Sequence, residues 1–318
     1  MANDPLSSSD RGGGARGESE PPTSGQMIAR QNSLDAGTFM YDYMRPGRPV
    51  VATDATWNWA ALTRWTPEFF AERYGAREFT VDGRRYTMRE LIDRAGRSAP
   101  DDTAPYLRNQ PLATVFPDLV DDVGRLPYSR PNWLASRFFP SRRSPTVVEL
   151  FIGGRGSRFP FLHYDVWHMH AFLSQIYGEK EVVLFAPGDG RYLYPRDGRY
   201  ANQSRVDNVD HPDLERFPLF VRAQPWRTTL GPGDTLFIPS GWWHTTRMVS
   251  MSIMVSINTA NSVNWRDFVA DYCAEAAQRR SPAYVRVLWL YLSALGTMKE
   301  AVAISRALVG IGAPASWR

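Results

Sequence analysis

The chain has little cysteine, little lysine and no long apolar run. Its 318 residues include one cysteine, Cys273, so an intramolecular disulfide framework is excluded and a reducing, cytoplasmic setting is expected. Lysine occurs at Lys180 and Lys299 alone, among 37 basic residues. A GC-rich gene writes arginine for lysine, so a position that stays lysine invites a specific question. The longest apolar stretch, around "VRVLWLYLSALG", falls short of the about 20 residues that span a bilayer, and no membrane partner is expected. The N-terminal "MANDPLSSSDRGGGARGESEPPTSG" lacks the apolar segment of a secretory signal, so the sequon Asn202-Gln203-Ser204 is expected to be idle. The net charge is only +4 and no basic run is present, which argues against nucleic acid as a partner without excluding it.

Apolar residues make up 43 % and aromatics 13 % of the sequence, enough for a sizeable globular core. Residues 1–30 are Ser, Gly, Pro and charge, a composition expected to form a disordered tail. Residues 31–262 read as one catalytic domain with an N-terminal α/β elaboration. In it, "TPEFFAERYG" is a short helix capped by Thr66, "REFTVDGRRYTM" a hairpin turning at Asp82-Gly83, and Thr87-x-x-Glu90 a capping box. From about residue 145 short β-rich runs follow one another ("TVVELFIGG", "KEVVLFAP", "WRTTLGPGDTLFIPSGWWH", "SMSIMVSINTA"), separated by Gly and Pro, as in a sandwich or barrel. Residues 263–318 return to helical spacing.

Histidine is also scarce: five residues, three of them inside "FLHYDVWHMH" at 161–170. Two ligand pairs can be read there. His163-x-Asp165 places an imidazole and a carboxylate on one face of an extended strand. His244, closing "GDTLFIPSGWWH", supplies a third ligand from a distant strand, and two histidines with one carboxylate form the facial triad of non-haem Fe(II) oxygenases. The rival, His168-x-His170, needs a Glu after three or four intervening residues, where Ser174 and Gln175 stand. His163, Asp165 and His244 are therefore the expected ligands, with His168 and His170 on the opposite face or in a bulge near the site mouth. Trp167, which shares the strand parity of the ligands, and Trp242 and Trp243 are expected to line the pocket.

The segments "HYD", "LFAP", "LYP", "VDNVDHPDLERFPLF" and "GPGDTLFIPSGWWH", with "RPGRPVV" and "PYLRNQPLATVFPDL" upstream, resemble the cupin-like Jumonji C hydroxylases, nearest the branches of the asparaginyl hydroxylase of hypoxia-inducible factor and of the tRNA wybutosine hydroxylase. The resemblance covers residues 34–262. It implies a mainly β fold with flanking helices, a double-stranded β-helix (jelly-roll) followed by C-terminal helices, with Fe(II) as metal and 2-oxoglutarate as co-substrate. It assigns the metal to His163, Asp165 and His244. Lys180 falls in the family's Gly-x-Lys, here Gly178-Glu179-Lys180, whose lysine pairs with the distal carboxylate of 2-oxoglutarate. A dianion buried in a barrel needs such a cation. Asn258 matches a family Asn near the metal, and Ser256 sits two residues before it on the same face. The family's Thr before the first ligand is missing from "SRFPFLH", so Tyr106 or Ser256 is expected to substitute. The interval from His163 to Lys180 is longer than in the nearest members, with the insertion in "VWHMHA".

The implied reaction is hydroxylation of an unactivated C–H bond in a peptide, amino acid or small natural product, with succinate and CO2 as co-products. Two readings of a different kind stand beside it: a metal-binding cupin with non-oxygenase chemistry, and a non-catalytic interaction protein. The C-terminal helices correspond in position to a family dimerisation element, and a homodimer is expected.

Overall fold

The computed structural model of the protein describes residues 26–140 and 148–308. Its strands are β1 (Gln26–Met27), β2 (Ala29–Gln31), β3 (Val50–Ala52), β4 (Glu78–Val81), β5 (Arg84–Thr87), β6 (Leu107–Pro111), β7 (Val148–Gly153), β8 (His170–Tyr177), β9 (Lys180–Phe185), β10 (Trp226–Leu230), β11 (Thr235–Ile238), β12 (Trp243–Met248) and β13 (Ser252–Thr259). They form a four-stranded sheet, β1-β10-β9-β12, a seven-stranded sheet, β2-β3-β11-β8-β13-β7-β6, and a separate β4–β5 hairpin. The two large sheets face each other in a jelly-roll, with helices flanking the sheets and following them, as the sequence led us to expect.

Strand periodicity determines what lies between the sheets. Ala171 and Leu173 of β8, Val182 and Leu184 of β9, Leu236 and Ile238 of β11 and Met254 of β13 share one interior cluster. The intervening Phe172, Phe237, Ile253 and Val255 face the other way and pack with Phe39, Phe70 and Leu91 of the N-terminal elaboration. A register slip of one residue would exchange these faces. Gly178 fixes the β8–β9 turn: its φ is +67°, and a Cβ there would lie 1.7 Å from the Met251 carbonyl oxygen. That turn delivers Lys180 to the interior.

The short elements follow their local signals. Thr66 caps the Pro67–Arg73 helix, and Thr87 with Glu90 forms the capping box of the Met88–Gly96 helix. Asp82 and Gly83 both adopt positive φ in the β4–β5 turn.

Two expectations need correction. The tail assigned to residues 1–30 lies mostly outside the described residues, but its end is structured: β1 pairs in parallel with β10, and β2 with β3. Ile28 between them is buried. Five residues with one apolar anchor suffice because both sheets offer an open edge. The second concerns the Pro282–Leu308 helix. Arg286, Ser293 and Gly296 interrupt the apolar run in sequence, yet Pro282–Ser305 as one helix has the length and apolarity to cross a membrane. Leu288, Leu292 and Leu295 bury one face of it against the Trp265–Ala277 helix, Trp133 and Phe139. Val287, Leu290, Val302 and Ile304 are exposed.

Candidate metal centre

His163 and His244 are neighbours before either meets a ligand. The two residues exchange backbone hydrogen bonds, His163 N to His244 O at 3.0 Å and His244 N to His163 O at 2.6 Å, so their imidazoles stand side by side with centroids 4.4 Å apart. Each Nδ1 faces a backbone carbonyl, Phe161 O at 3.2 Å from His163 and Trp242 O at 3.1 Å from His244. Donation from Nδ1 leaves both Nε2 lone pairs free, the arrangement that orients metal-binding imidazoles. Asp165 follows in extended backbone, and its Oδ2 lies 4.0 Å from His244 Nε2. One donor atom from each of the three residues falls within 4.8 Å of the others. The sequence-derived triad therefore converges on a single point.

The electrostatics suit a cation. Burial, then the neighbouring His244, holds His163 well below the usual histidine range, so its imidazole is neutral. Burial raises Asp165, opposed by His244 and by a hydrogen bond from Asn258. Two imidazoles with their Nε2 atoms turned to one point, and a desolvated carboxylate that no guanidinium or ammonium among the described residues pairs with, form a set that a divalent ion would satisfy.

Deeper in the interior lies Lys180, fully buried. Its Nζ donates to Tyr106 Oη at 3.2 Å and approaches Met254 Sδ at 3.4 Å, with the Tyr106 and Phe151 rings 5.5 and 5.8 Å away. Among the described residues no carboxylate pairs with it. Desolvation pulls its pKa down to about 7. Tyr106 is also buried, and its phenol is raised by desolvation. Ser256 Oγ lies 3.4 Å from Asn258 Oδ1, which ties both residues to the Asp165 end of the interior.

The remaining sequence candidates separate. His170 opens β8 on the face turned away from the metal point: its Nδ1 accepts from Ser240 N at 2.9 Å, and burial lowers its pKa to about 3. His168 lies in a short turn, Val166–His168, where Trp167 and His168 both adopt left-handed backbone, φ 55° and 49°. Its Nδ1 contacts Asp271 Oδ2 at 2.6 Å. The same turn overturns the expectation for Trp167. Strand parity ends at Asp165, and the indole swings out to hydrogen-bond Glu275 at 2.7 Å and pack on Tyr272. Trp242 joins the interior cluster. Trp243 faces outward against Tyr164, so it does not line the pocket as expected.

Two site residues and one cleft escaped the sequence reading. Thr246 follows His244 by two positions on β12, so it faces the same interior. Its hydroxyl is buried, lies beside the Tyr106 phenol and has no well-formed hydrogen bond. Strand parity from His244 was the signal for it. Glu149 on β7 stands opposite Ser256 and accepts from Asn109 Nδ2 at 3.1 Å. Its signal was a lone acid in the apolar run "TVVELFIGG". Beside the Asp165 turn a cleft of about 330 Å³ opens between Tyr164, Trp167, Asn202, Asp271 and Glu275.

A jelly-roll that converges two imidazoles and a carboxylate at one end, above a buried lysine, defines a cupin-type metal site. The chain belongs to the cupin-like family, whose model, described as "Cupin-like domain", matches residues 76–271. Lysine-specific demethylase 8 of Danio rerio is 29 % identical over 231 residues, covering 69 % of this chain and 54 % of that protein. The tRNA wybutosine-synthesizing protein 5 of Danio rerio is 30 % identical over 254 residues, 70 % of this chain and 72 % of its own length. The Mus musculus protein of the same name is 43 % identical over 261 residues, with 73 % and 76 % covered. The chain thus spans little more than half of the demethylase and about three-quarters of the wybutosine-synthesizing proteins. The resemblance to Jumonji C proteins agrees with these relationships, which support an oxidative, oxygenase-type enzyme.

Proposed function

We propose that the chain is an Fe(II)- and 2-oxoglutarate-dependent dioxygenase that hydroxylates an unactivated C–H bond of a peptidyl, amino-acid or small natural-product substrate. The observation that carries this reading is Lys180, a fully buried amine with no counter-ion among the described residues, on the same interior as the triad. An unpaired ammonium is costly to bury, and the site makes sense when an anion enters to meet it. A dicarboxylate long enough to reach from the metal point to Lys180 is such an anion.

The chain's residues divide the work. His163, Asp165 and His244 would hold iron on one side and leave the other positions open. Lys180, Tyr106 and the orphan hydroxyl of Thr246 would receive the distal carboxylate, so Thr246 rather than Ser256 fills the place of the missing Thr. Asn258 holds the Asp165 carboxylate in orientation. Phe151, Leu173 and Met254 keep the interior dry, which strengthens each of these contacts. When bound, iron and 2-oxoglutarate supply the activation of dioxygen, one oxygen atom entering the substrate as hydroxyl and the other entering succinate, with release of CO2.

Anaerobic addition of Fe(II) and then 2-oxoglutarate is expected to produce a visible charge-transfer absorption, and Asp165→Ala to abolish it. Aerobic incubation is expected to yield succinate, accelerated by the true substrate. A folded chain that binds iron yet gives neither signal rules the reading out. For the exposed face of the Pro282–Leu308 helix the proposed partner is a second copy of the chain, since one face of the helix is already buried and the other still exposes Val287, Trp289, Leu290, Val302 and Ile304.

A further inference from the structure

We propose that Glu149 is a specificity-determining residue that anchors a cationic group of the substrate, a guanidinium or an alkylammonium, beside the bond that is oxidised. The inference rests on the oxygenase reading above and adds the class of substrate to it.

In an antiparallel pair, residues directly opposite each other share a face. Glu149 on β7 is opposite Ser256 on β13, and Phe151 is opposite Met254. Phe151 and Met254 flank Lys180 in the deep interior. Glu149 is therefore one interior position nearer the metal end than the lysine's own surroundings. The next interior position on β13 is Asn258, which hydrogen-bonds Asp165. The carboxylate of Glu149 thus faces the space above the triad, on the side where substrate must approach.

The described residues around it leave its charge unmet. Among them one hydrogen bond reaches it, from Asn109 Nδ2, and Asn109 is held in left-handed backbone, φ 51°, at the irregularity between Leu107 and Gln110 where β6 meets β7. The nearest arginine in sequence to that donor, Arg108, is committed elsewhere: it pairs with Asp82 and stacks over the Tyr106 and Phe159 rings. Among the described residues no lysine or arginine pairs with Glu149. The charge it feels most is the like charge of Asp165. A half-buried carboxylate kept beside a second carboxylate, with a neutral amide as its one donor among the described residues, is poor design for stability. It is apt for capturing a cation, and the formal net charge of +4 means that such a substrate gains nothing from general attraction to the protein. Recognition has to be local, and the anion has to be at the site.

The test uses four probes: N-acetyl-L-arginine methylamide and N-acetyl-L-lysine methylamide, with their neutral counterparts built on citrulline and norleucine. Binding to the full chain is measured by anaerobic calorimetry with Mn(II) and 2-oxoglutarate present, so that no turnover intervenes. A cationic probe is expected to bind about ten- to a hundredfold more tightly than its neutral counterpart, the value of a charge-assisted hydrogen bond. Glu149→Gln is expected to collapse that preference, and Glu149→Asp to retain part of it. Equal binding of cationic and neutral probes by the unsubstituted chain overturns the proposal without any variant having to fold. So does a preference that survives in Glu149→Gln, or the failure of both cationic probes to bind at millimolar concentration. If the chain loaded with Mn(II) does not take up 2-oxoglutarate at all, the oxygenase reading itself has failed, and the two failures are told apart at that first step.

Discussion

Lys180→Met should make the protein more stable and useless for its co-substrate. In the unfolded chain the ammonium keeps its proton to about pH 10.4. In the folded interior, desolvation brings the pKa to about 7. That difference corresponds to roughly 5 kcal/mol of lost solvation for the charged form, at about 1.4 kcal/mol per pH unit, and is an upper bound. The sign follows from linkage. Between about pH 7 and 10 the unfolded chain binds the extra proton, so stability of the unliganded protein rises with pH across that window. Below about pH 7 both states are protonated and the full penalty is present. Methionine carries no such penalty and has similar volume. The gain from Lys180→Met should therefore be largest at pH 6–7, on the order of 10 °C in melting temperature at most, and shrink toward pH 10. The assay is thermal unfolding of both chains across pH, where all other titrations cancel in the difference. A second arm adds Mn(II) and 2-oxoglutarate without oxygen: the unsubstituted chain should gain stability on binding, while Lys180→Met should gain only the metal's share. A variant that is less stable at every pH, or one that still responds fully to 2-oxoglutarate, refutes the assignment.

Thr246→Val should weaken 2-oxoglutarate binding about two- to tenfold, one neutral hydrogen bond's worth, and leave the unliganded melting temperature unchanged or slightly raised, because the buried hydroxyl has no well-formed hydrogen bond to lose and the methyl removes its desolvation cost; calorimetry and thermal unfolding check the two halves. Asp271→Asn should cost stability on the acid side. Asp271 raises His168 above its ordinary pKa, so the contribution is complete below about pH 6.5 and disappears as pH rises through the raised value, amounting to under about 1 kcal/mol at this partly exposed pair. Unfolding at pH 5.5 and 9 measures it, with a difference expected only at the lower pH. Leu290→Glu on the exposed face of the Pro282–Leu308 helix should convert a dimer to a monomer in sedimentation equilibrium. A chain that is monomeric without the substitution and co-sediments with lipid vesicles would instead assign that face to a membrane.

How much of this was legible in the sequence depended on whether regular backbone persisted. His163, Asp165 and His244 could be read because i, i+2 parity requires only three extended residues, and the exchange of hydrogen bonds between His163 and His244 closed the distance between remote segments. The interior positions of Asn258 and Ser256 were legible for the same reason, lying on the continuous strand β13. The rule failed one step beyond Asp165. Trp167 and His168 take left-handed backbone, which no strand pattern announces for a Trp-His pair, and a tryptophan expected in the pocket became an anchor for a helix a hundred residues away. The end of the supposed tail was misread for a related reason, since its order comes from sheet edges supplied by β10 and β3 and not from its own composition.

Glu149 shows the opposite case, a signal that was present and passed over. Parity places its neighbours Leu150 and Ile152 against the N-terminal elaboration, so any residue alternating with them faces the barrel interior. An interior acid in a strand that contains no other charge must have a partner. When the described residues supply only an amide, the partner is to be sought in what the site binds. The same reasoning led from the lone buried lysine to a dicarboxylate. Applied to Glu149, it leads to a cation, and the two charges, Lys180 beside Phe151 and Glu149 one interior position further along β7, would sort co-substrate from substrate by sign.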